Sequence, residues 1–322
     1  MQAIVAHALG GPDVLVLRTH PVPAPAAGEV LVRLHAIGVN FSDTERRRGV
    51  YDPPALPWIP GNEAAGVVEG LGAGVDPSWL GRRVAFWAPR TSGTYAEYAA
   101  APVAACFWLR DEIELSVGAT LPVQGLTAYG LSQAATALEA GQTAVVHAAA
   151  GGVGALLVQL LRLRGVRVFA TASTAAKRDL VRSLGAEPHP FGPDLTRAVR
   201  EATDGKGVDA VFDSIGQATR ADSLAALGLY GQLVYFGEAS GPPDPILPDE
   251  LYGRNLRVSS FWLAADPPAR WDAARRELQD WVMDGRLRVT IGGTLALAEA
   301  PEAHRRLESR ETHGKLILIT AS

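Results

Sequence analysis

The stretch Ala144-Val-Val-His-Ala-Ala-Ala-Gly-Gly-Val-Gly-Ala-Leu-Leu-Val-Gln-Leu-Leu161 constrains this chain more than any other. It opens as a short apolar run with β-branched residues. It then passes through Gly151-Gly152-Val153-Gly154 and continues as an apolar helix pattern. Strand, glycine turn and helix start together receive a dinucleotide diphosphate. Small residues let the backbone approach the phosphates, and the helix start offers free N–H groups and the positive end of its dipole. Against the G-x-G-x-x-G template, Ala149, Gly151 and Gly154 fall on the three glycine positions, so the first is alanine. A glycine-rich turn in an ordinary βα unit is one plainer account. A membrane span is another, since the run approaches that length. His147, the mid-run glycine pair, the lack of a flanking basic cluster and the βα units downstream oppose the span. Ala150, Gly151, Gly152, Val153 and Gly154 are the candidate diphosphate cradle.

The next segment bears on which dinucleotide. Val166-Arg-Val-Phe-Ala-Thr171 reads as the second parallel strand. An NAD-selective site places Asp or Glu at its end, to accept bonds from the ribose hydroxyls. Here the chain has Thr171-Ala-Ser-Thr-Ala-Ala-Lys-Arg178, with no carboxylate to repel a 2′-phosphate. Ser173 can donate a hydrogen bond, and Lys177 and Arg178 carry charge. Basic pairs of this kind are usually a solvated helix face. Position favours the phosphate role for Lys177 and not for Arg178. The site is predicted to take NADPH.

The 322 residues suffice for two domains of ordinary size. Net charge is −4 with the signs mixed along the chain, which gives no electrostatic footprint for nucleic acid or an anionic membrane. Arg46-Arg47-Arg48 is expected to be a solvated helix face. The single cysteine, Cys106, excludes a disulfide within the chain and a four-cysteine zinc lobe. It suits a reducing cytoplasm, the expected location. Met1-Gln-Ala-Ile-Val-Ala-His7 reads as a strand rather than a signal peptide.

Texture changes near residue 120. Before it, short strand patterns such as Glu29–Ala36, Ala64–Gly70 and Arg83–Trp87 are separated by Gly and Pro. After it, strand and helix patterns alternate over 143–149, 154–164, 166–171, 174–184, 195–203, 208–213, 219–228 and 232–237, as in a doubly wound α/β domain. Leu256–Phe261 reads as one more strand, Trp271–Asp284 as an amphipathic helix, and Lys315–Ile319 as a strand returning to the first region.

These motifs, with Gly10-Gly-Pro-Asp-Val-Leu15, Ile37-Gly-Val-Asn-Phe-Ser-Asp43, Pro60-Gly-Asn-Glu-Ala-Ala-Gly66, Gln124-Gly-Leu-Thr-Ala128, Asp213-Ser-Ile-Gly216 and Thr312-His-Gly-Lys-Leu316, make the chain resemble the zinc-free, ζ-crystallin-like quinone oxidoreductase branch of the medium-chain dehydrogenase/reductase superfamily. The resemblance spans nearly the whole length. It implies an α/β fold: a Rossmann doubly wound parallel-sheet domain inserted in a β-rich GroES-like catalytic domain. Residues 1–120 and 263–322 would form the catalytic domain and 121–262 the NADPH-binding domain. It also implies a homodimer. Zinc-dependent relatives carry Cys in the first catalytic motif and Gly-His-Glu in the next. This chain has Asn40-Phe-Ser-Asp43 and Gly61-Asn62-Glu63, and its seven histidines are scattered. No metal is expected, so the substrate must already be electron-poor, as quinones and α,β-unsaturated carbonyls are.

The resemblance places Asn40 and Thr127 at the nicotinamide, Asp43 as a support of the loop, and Tyr51 in the substrate pocket. Tyr51 either donates to a carbonyl oxygen or only packs at the rim. Asn40 could instead cap a turn. The catalytic candidates are Tyr51, Asn40 and Thr127. Ser214, Phe236, Gly237 and Phe261 follow strand ends on the cofactor side. Lys315 either approaches the cofactor or is an exposed strand-start lysine. Glu45 stands where some bacterial relatives have a second pocket tyrosine, and Phe191 where they have one near the 2′-phosphate. The leading expectation is NADPH-dependent reduction of a quinone, with a small-molecule partner and neither nucleic acid nor membrane. Its rivals are reduction of an enone or enoyl thioester, and a non-catalytic NADPH-binding structural protein.

Overall fold

The computed structural model describes residues 1–88, 93–133, 135 and 138–320. Two compact units result: Met1–Val123 with Pro267–Gly285 and Val289–Ser322, and Gln124–Asp266 with Arg286–Arg288. The first unit holds β1 (Gln2–Ala6), β2 (Leu15–Thr19), β3 (Glu29–Val39), β4 (Glu63–Leu71), β5 (Arg83–Trp87), β6 (Tyr98–Pro102) and β7 (Cys106–Trp108). The second holds β8 (Thr143–Val146), β9 (Arg167–Thr171), β10 (Glu187–His189), β11 (Val208–Asp213), β12 (Leu227–Tyr235) and β13 (Arg257–Ser260). Two later strands, β14 (Ile291–Ala296) and β15 (Lys315–Ile319), join the first unit's sheet.

That sheet runs β14-β15-β3-β4-β5-β7, with β6 also paired to β3. β3 shows why. Over its first seven residues exposure alternates, and its last four are all buried. One end is a half-buried strand and the other has both faces covered. β15 pairs antiparallel to β3 with Leu316 opposite Val39 and Ile317 opposite Gly38. This register sets Lys315 beside Asn40. β4 pairs on the other side with Ala64 opposite Ile37. It brings Glu63 over Gly38, where a Cβ would lie 2.5 Å from Glu63 Oε1. Glycine at 38 therefore makes room for a buried carboxylate. Ile4, Val32, Leu34, Val68, Val84, Phe86 and Leu318 form the core beneath.

The second unit's sheet is parallel throughout, in the order β10-β9-β8-β11-β12-β13. This is the doubly wound class expected from the alternating pattern. Counted from β8, the order is 3-2-1-4-5-6, which reverses between β8 and β11. Val145, Phe169, Val211 and Leu233 are closed to solvent because helices cover such sheets on both faces.

Candidate active site

In the first unit, Asn40 precedes the helix Phe41–Arg48. Its backbone N–H donates to Asp43 Oδ2 at 2.9 Å. Its side-chain amide is committed elsewhere: Nδ2 donates to Glu63 Oε1 at 2.9 Å, and Oδ1 accepts from Lys315 Nζ at 2.8 Å. Lys315 also donates to Glu63 Oε1 at 2.5 Å, and Glu63 Oε2 takes the Val123 N–H at 2.8 Å. Asn40 sits at a helix start while its amide serves a different network. Lys315 is 1 % exposed and is not a surface lysine.

Asp43 is fully buried, and burial pushes its carboxyl up to about 7. Its other oxygen accepts from Asn62 Nδ2 at 2.9 Å. Behind it runs a chain whose direction is fixed by chemistry. Arg47 only donates, so His304 Nδ1 accepts from it at 3.0 Å. His304 Nε2–H then donates to the Tyr95 hydroxyl at 3.0 Å, and Tyr95 donates to Asp43 Oδ2 at 3.5 Å. Burial, aided by Arg47, holds His304 neutral, down to about 3. Arg47 also binds Gly10 O and pairs with Glu308 at 2.6 Å. The expectation of a solvated Arg46–Arg48 face is corrected here: Arg47 is 1 % exposed, because three acceptors wait for its guanidinium inside the fold. Arg46 is largely buried as well, lying over the Trp58 ring and reaching Asn62 Oδ1 at 3.4 Å. Its Nε holds Asp52 O at 3.1 Å, which ties down the loop carrying Tyr51, an exposed phenol.

In the second unit, the cradle candidates lie where the strand order reverses. The helix Gly152–Leu163 begins there with no side chain capping it at Gly151. Its first N–H groups therefore lack intrahelical partners. Ala148 adopts φ +50°, a left-handed conformation that a non-glycine residue takes only when its surroundings enforce it. The surroundings do so through a buried chain. Asp213 accepts from Ser223 Oγ at 2.7 Å, so Ser223 accepts from His147 Nε2–H at 3.0 Å. His147 Nδ1 then accepts from Thr171 Oγ1 at 3.1 Å, and Thr171 accepts the Ala148 N–H at 3.2 Å. Desolvation lowers the His147 pKa, which keeps the ring neutral as this chain requires. Sequence reasoning used His147 only against a membrane span. Its partners lie 24 and 76 residues away, and no local pattern announces them.

The remaining candidates of this unit also follow the carboxyl ends of its strands. Ser173 follows β9 and is exposed, with its carbonyl held by Arg178 at 3.1 Å. Lys177 lies in the first turn of the helix Ala175–Ser183, and its N–H is taken by Thr174 Oγ1. Phe191 stacks on His147 at a centroid distance of 6.2 Å. Ser214 follows β11 and accepts the Ala239 N–H at 3.1 Å. Phe236 and Gly237 follow β12, and Phe261 follows β13 with its N–H on Tyr235 O. Thr127 is half-buried in the helix Leu126–Gln133.

Zinc does not fit this donor set. Asn40 Oδ1, at the position of the relatives' thiolate ligand, already faces an ammonium at 2.8 Å. A divalent cation there would meet like charge. Among the described residues, no three His, Cys, Asp or Glu side chains are grouped to hold a metal ion. None of the described helices is long and apolar enough to cross a membrane.

Comparison with known proteins agrees with this architecture. Residues 26–111 match the model of the alcohol dehydrogenase GroES-like domain, and 152–280 that of zinc-binding dehydrogenases. A Schizosaccharomyces pombe protein described as "Probable quinone oxidoreductase" is 42 % identical over 96 % of this chain and 94 % of its own. The 2-haloacrylate reductase of a Burkholderia species is 36 % identical, covering 99 % of both chains. The Escherichia coli quinone oxidoreductase, solved in complex with NADPH, superposes with a TM-score of 0.94 at 32 % identity, over 99 % of this chain and 100 % of that one. The chain belongs to the medium-chain dehydrogenase/reductase superfamily, in its quinone oxidoreductase branch.

Proposed function

We propose that the protein is a zinc-independent, NADPH-dependent reductase that delivers hydride to a quinone. The observation that carries this reading is the uncapped helix start and glycine turn at the reversal of a parallel sheet, where doubly wound folds bind dinucleotides. Support comes from the Escherichia coli quinone oxidoreductase, whose structure was determined with NADPH. When bound, the reduced nicotinamide supplies the hydride. The turn at Ala150–Gly154 and the helix N–H groups hold the diphosphate, with Ser214, Phe236, Gly237 and Phe261 lining the neighbouring strand ends. Ser173 and Lys177 hold the 2′-phosphate. Thr127 and Asn40 orient the nicotinamide. Asn40 spends one amide proton on Glu63 and keeps the other for cofactor or substrate. Lys315 acts through Asn40 by fixing which way its amide points. The Tyr51 phenol donates to the substrate oxygen as charge develops on it.

Reduction of an electron-poor alkene is the second reading. It is favoured by the 36 % identity with a 2-haloacrylate reductase. Steady-state rates with a simple quinone, an enone and an enoyl thioester, each with NADPH and NADH, separate the two. NADPH oxidation that follows the quinone supports the first reading, and turnover confined to the alkenes replaces it with the second. The assembly we propose is a homodimer. β13 is an edge strand with Val258 38 % exposed, and a two-fold axis through it would pair the edge with its own copy. Sedimentation giving a monomer at micromolar concentration would contradict it.

A further inference from the structure

Within Gln124-Gly-Leu-Thr-Ala128, Thr127 is assigned above and Gln124 is not. The segment Leu121–Gly125 is a turn of π-helix, a form enriched at functional sites. Gln124 is 9 % exposed, yet its side-chain amide makes no hydrogen bond among the described residues. Neither its Oε1 nor its Nε2 is among the fully enclosed unpaired polar atoms, so a side chain otherwise withdrawn from solvent keeps its amide accessible to a ligand.

The amide lies on the first residue of the uncapped helix. A Cβ built on Gly152 would fall 2.0 Å from Gln124 Oε1 and 2.2 Å from Nε2. Any side chain at 152 would displace Gln124. The same test on Gly154 meets only the backbone of Ala148 and Ala149, which is strand–helix packing. The two glycines thus do different jobs: Gly154 lets the helix approach its strand, and Gly152 admits the Gln124 amide to the helix start. At that point the helix offers unpartnered N–H groups and positive potential, and Gln124 adds two more N–H donors from the side.

We infer that Gln124 is a diphosphate ligand, its Nε2 donating to a non-bridging oxygen of the dinucleotide held at Gly151–Gly154. This rests on the dinucleotide reading above and adds one residue to it. The contact is to the diphosphate, which NADPH and NADH share, so its effect is blind to the 2′-phosphate.

The test is fluorescence titration of the full-length protein with NADPH and with NADH, for the wild type and for Gln124→Ala, Gln124→Glu and Gln124→Lys. Gln124→Ala is expected to raise both Kd values by the same factor, about tenfold or more, the scale of a lost bond to a charged acceptor. Gln124→Glu, of nearly the same shape, should weaken both further by placing a carboxylate against phosphate. Gln124→Lys should restore binding and steepen its salt dependence. Alanine and glutamate variants that bind like the wild type would overturn the assignment. So would a lysine variant as weak as the glutamate variant, since shape alone would then be at work. A wild type that binds neither dinucleotide would overturn the cofactor reading itself, which separates the two failures.

Discussion

Lys315 and Glu63 form an ion pair with 2.5 Å between Nζ and Oε1, and the two side chains are 1 % and 0 % exposed. Two sheet registers create it: β15 against β3 delivers the lysine, and β4 against β3 delivers the glutamate over Gly38. Breaking such a pair from one side leaves a buried charge unmatched, at a cost of about 3–5 kcal/mol. Lys315→Ala should therefore lower unfolding stability on that scale in a denaturant titration. Lys315→Met combined with Glu63→Gln should recover much of it. A double variant no better than Lys315→Ala would show that the charge balance is not what matters here.

The network around Asp43 makes an acid-stability prediction. Burial raises Asp43 from 3.8 to about 7, so between these values the folded state binds the extra proton and stability falls as pH rises. His304 falls from 6.5 to about 3, so between these values the unfolded state binds the extra proton and stability falls as pH drops. From about pH 4 to 6.5 the two oppose each other, each worth about 1.4 kcal/mol per pH unit at full effect. His147, also lowered by burial, adds to the His304 sense. Asp43→Asn should thus steepen the loss of stability on acidification over this window, and His304→Gln should flatten it. Unchanged slopes in both variants, read from denaturant midpoints at several pH values, would contradict the account.

Cofactor choice rests on the turn after β9. Lys177→Ala should weaken NADPH binding by about 1–3 kcal/mol, the scale of charge-assisted bonds, and leave NADH nearly unchanged. Equal losses for both cofactors would remove Lys177 from the 2′-phosphate. This outcome also contrasts with the expectation for Gln124, whose effect is shared by the two dinucleotides.

Tyr51 stands exposed on a loop that Arg46 ties to the Asn62 side of the network. If its phenol donates to the developing oxyanion, Tyr51→Phe should lower kcat/KM by about 1–3 kcal/mol with little change in NADPH affinity. Glu45→Tyr should improve turnover of small quinones. A kinetically silent Tyr51→Phe across quinones and enones would leave the tyrosine as a packing residue.

Much of the fold was legible because buried parallel strands announce themselves. β8, β9 and β11 are short apolar runs followed by helical periods, since both sheet faces are covered. β10 was not legible: three residues long with Pro188 at its centre, it sits at the sheet edge and carries no apolar pattern. The glycine turn was readable for a local reason, the need for small residues beside a helix start. Arg47 was misread, and His147 was passed over, for the opposite reason. Their roles come from partners distant in sequence, such as Glu308 for Arg47 at a separation of 261 residues. A polar residue in one segment cannot show whether the acceptor that would bury it lies in another.

The central claim is hydride transfer from NADPH to a quinone without a metal. Its most direct test is the initial rate of NADPH oxidation with a simple quinone, before and after exhaustive chelation, with metal content measured on the same sample. The account predicts an unchanged rate and no stoichiometric zinc. A rate abolished by chelation and restored by zinc would contradict it, and with it the reading of Asn40, Asn62 and Lys315 as a metal-free constellation.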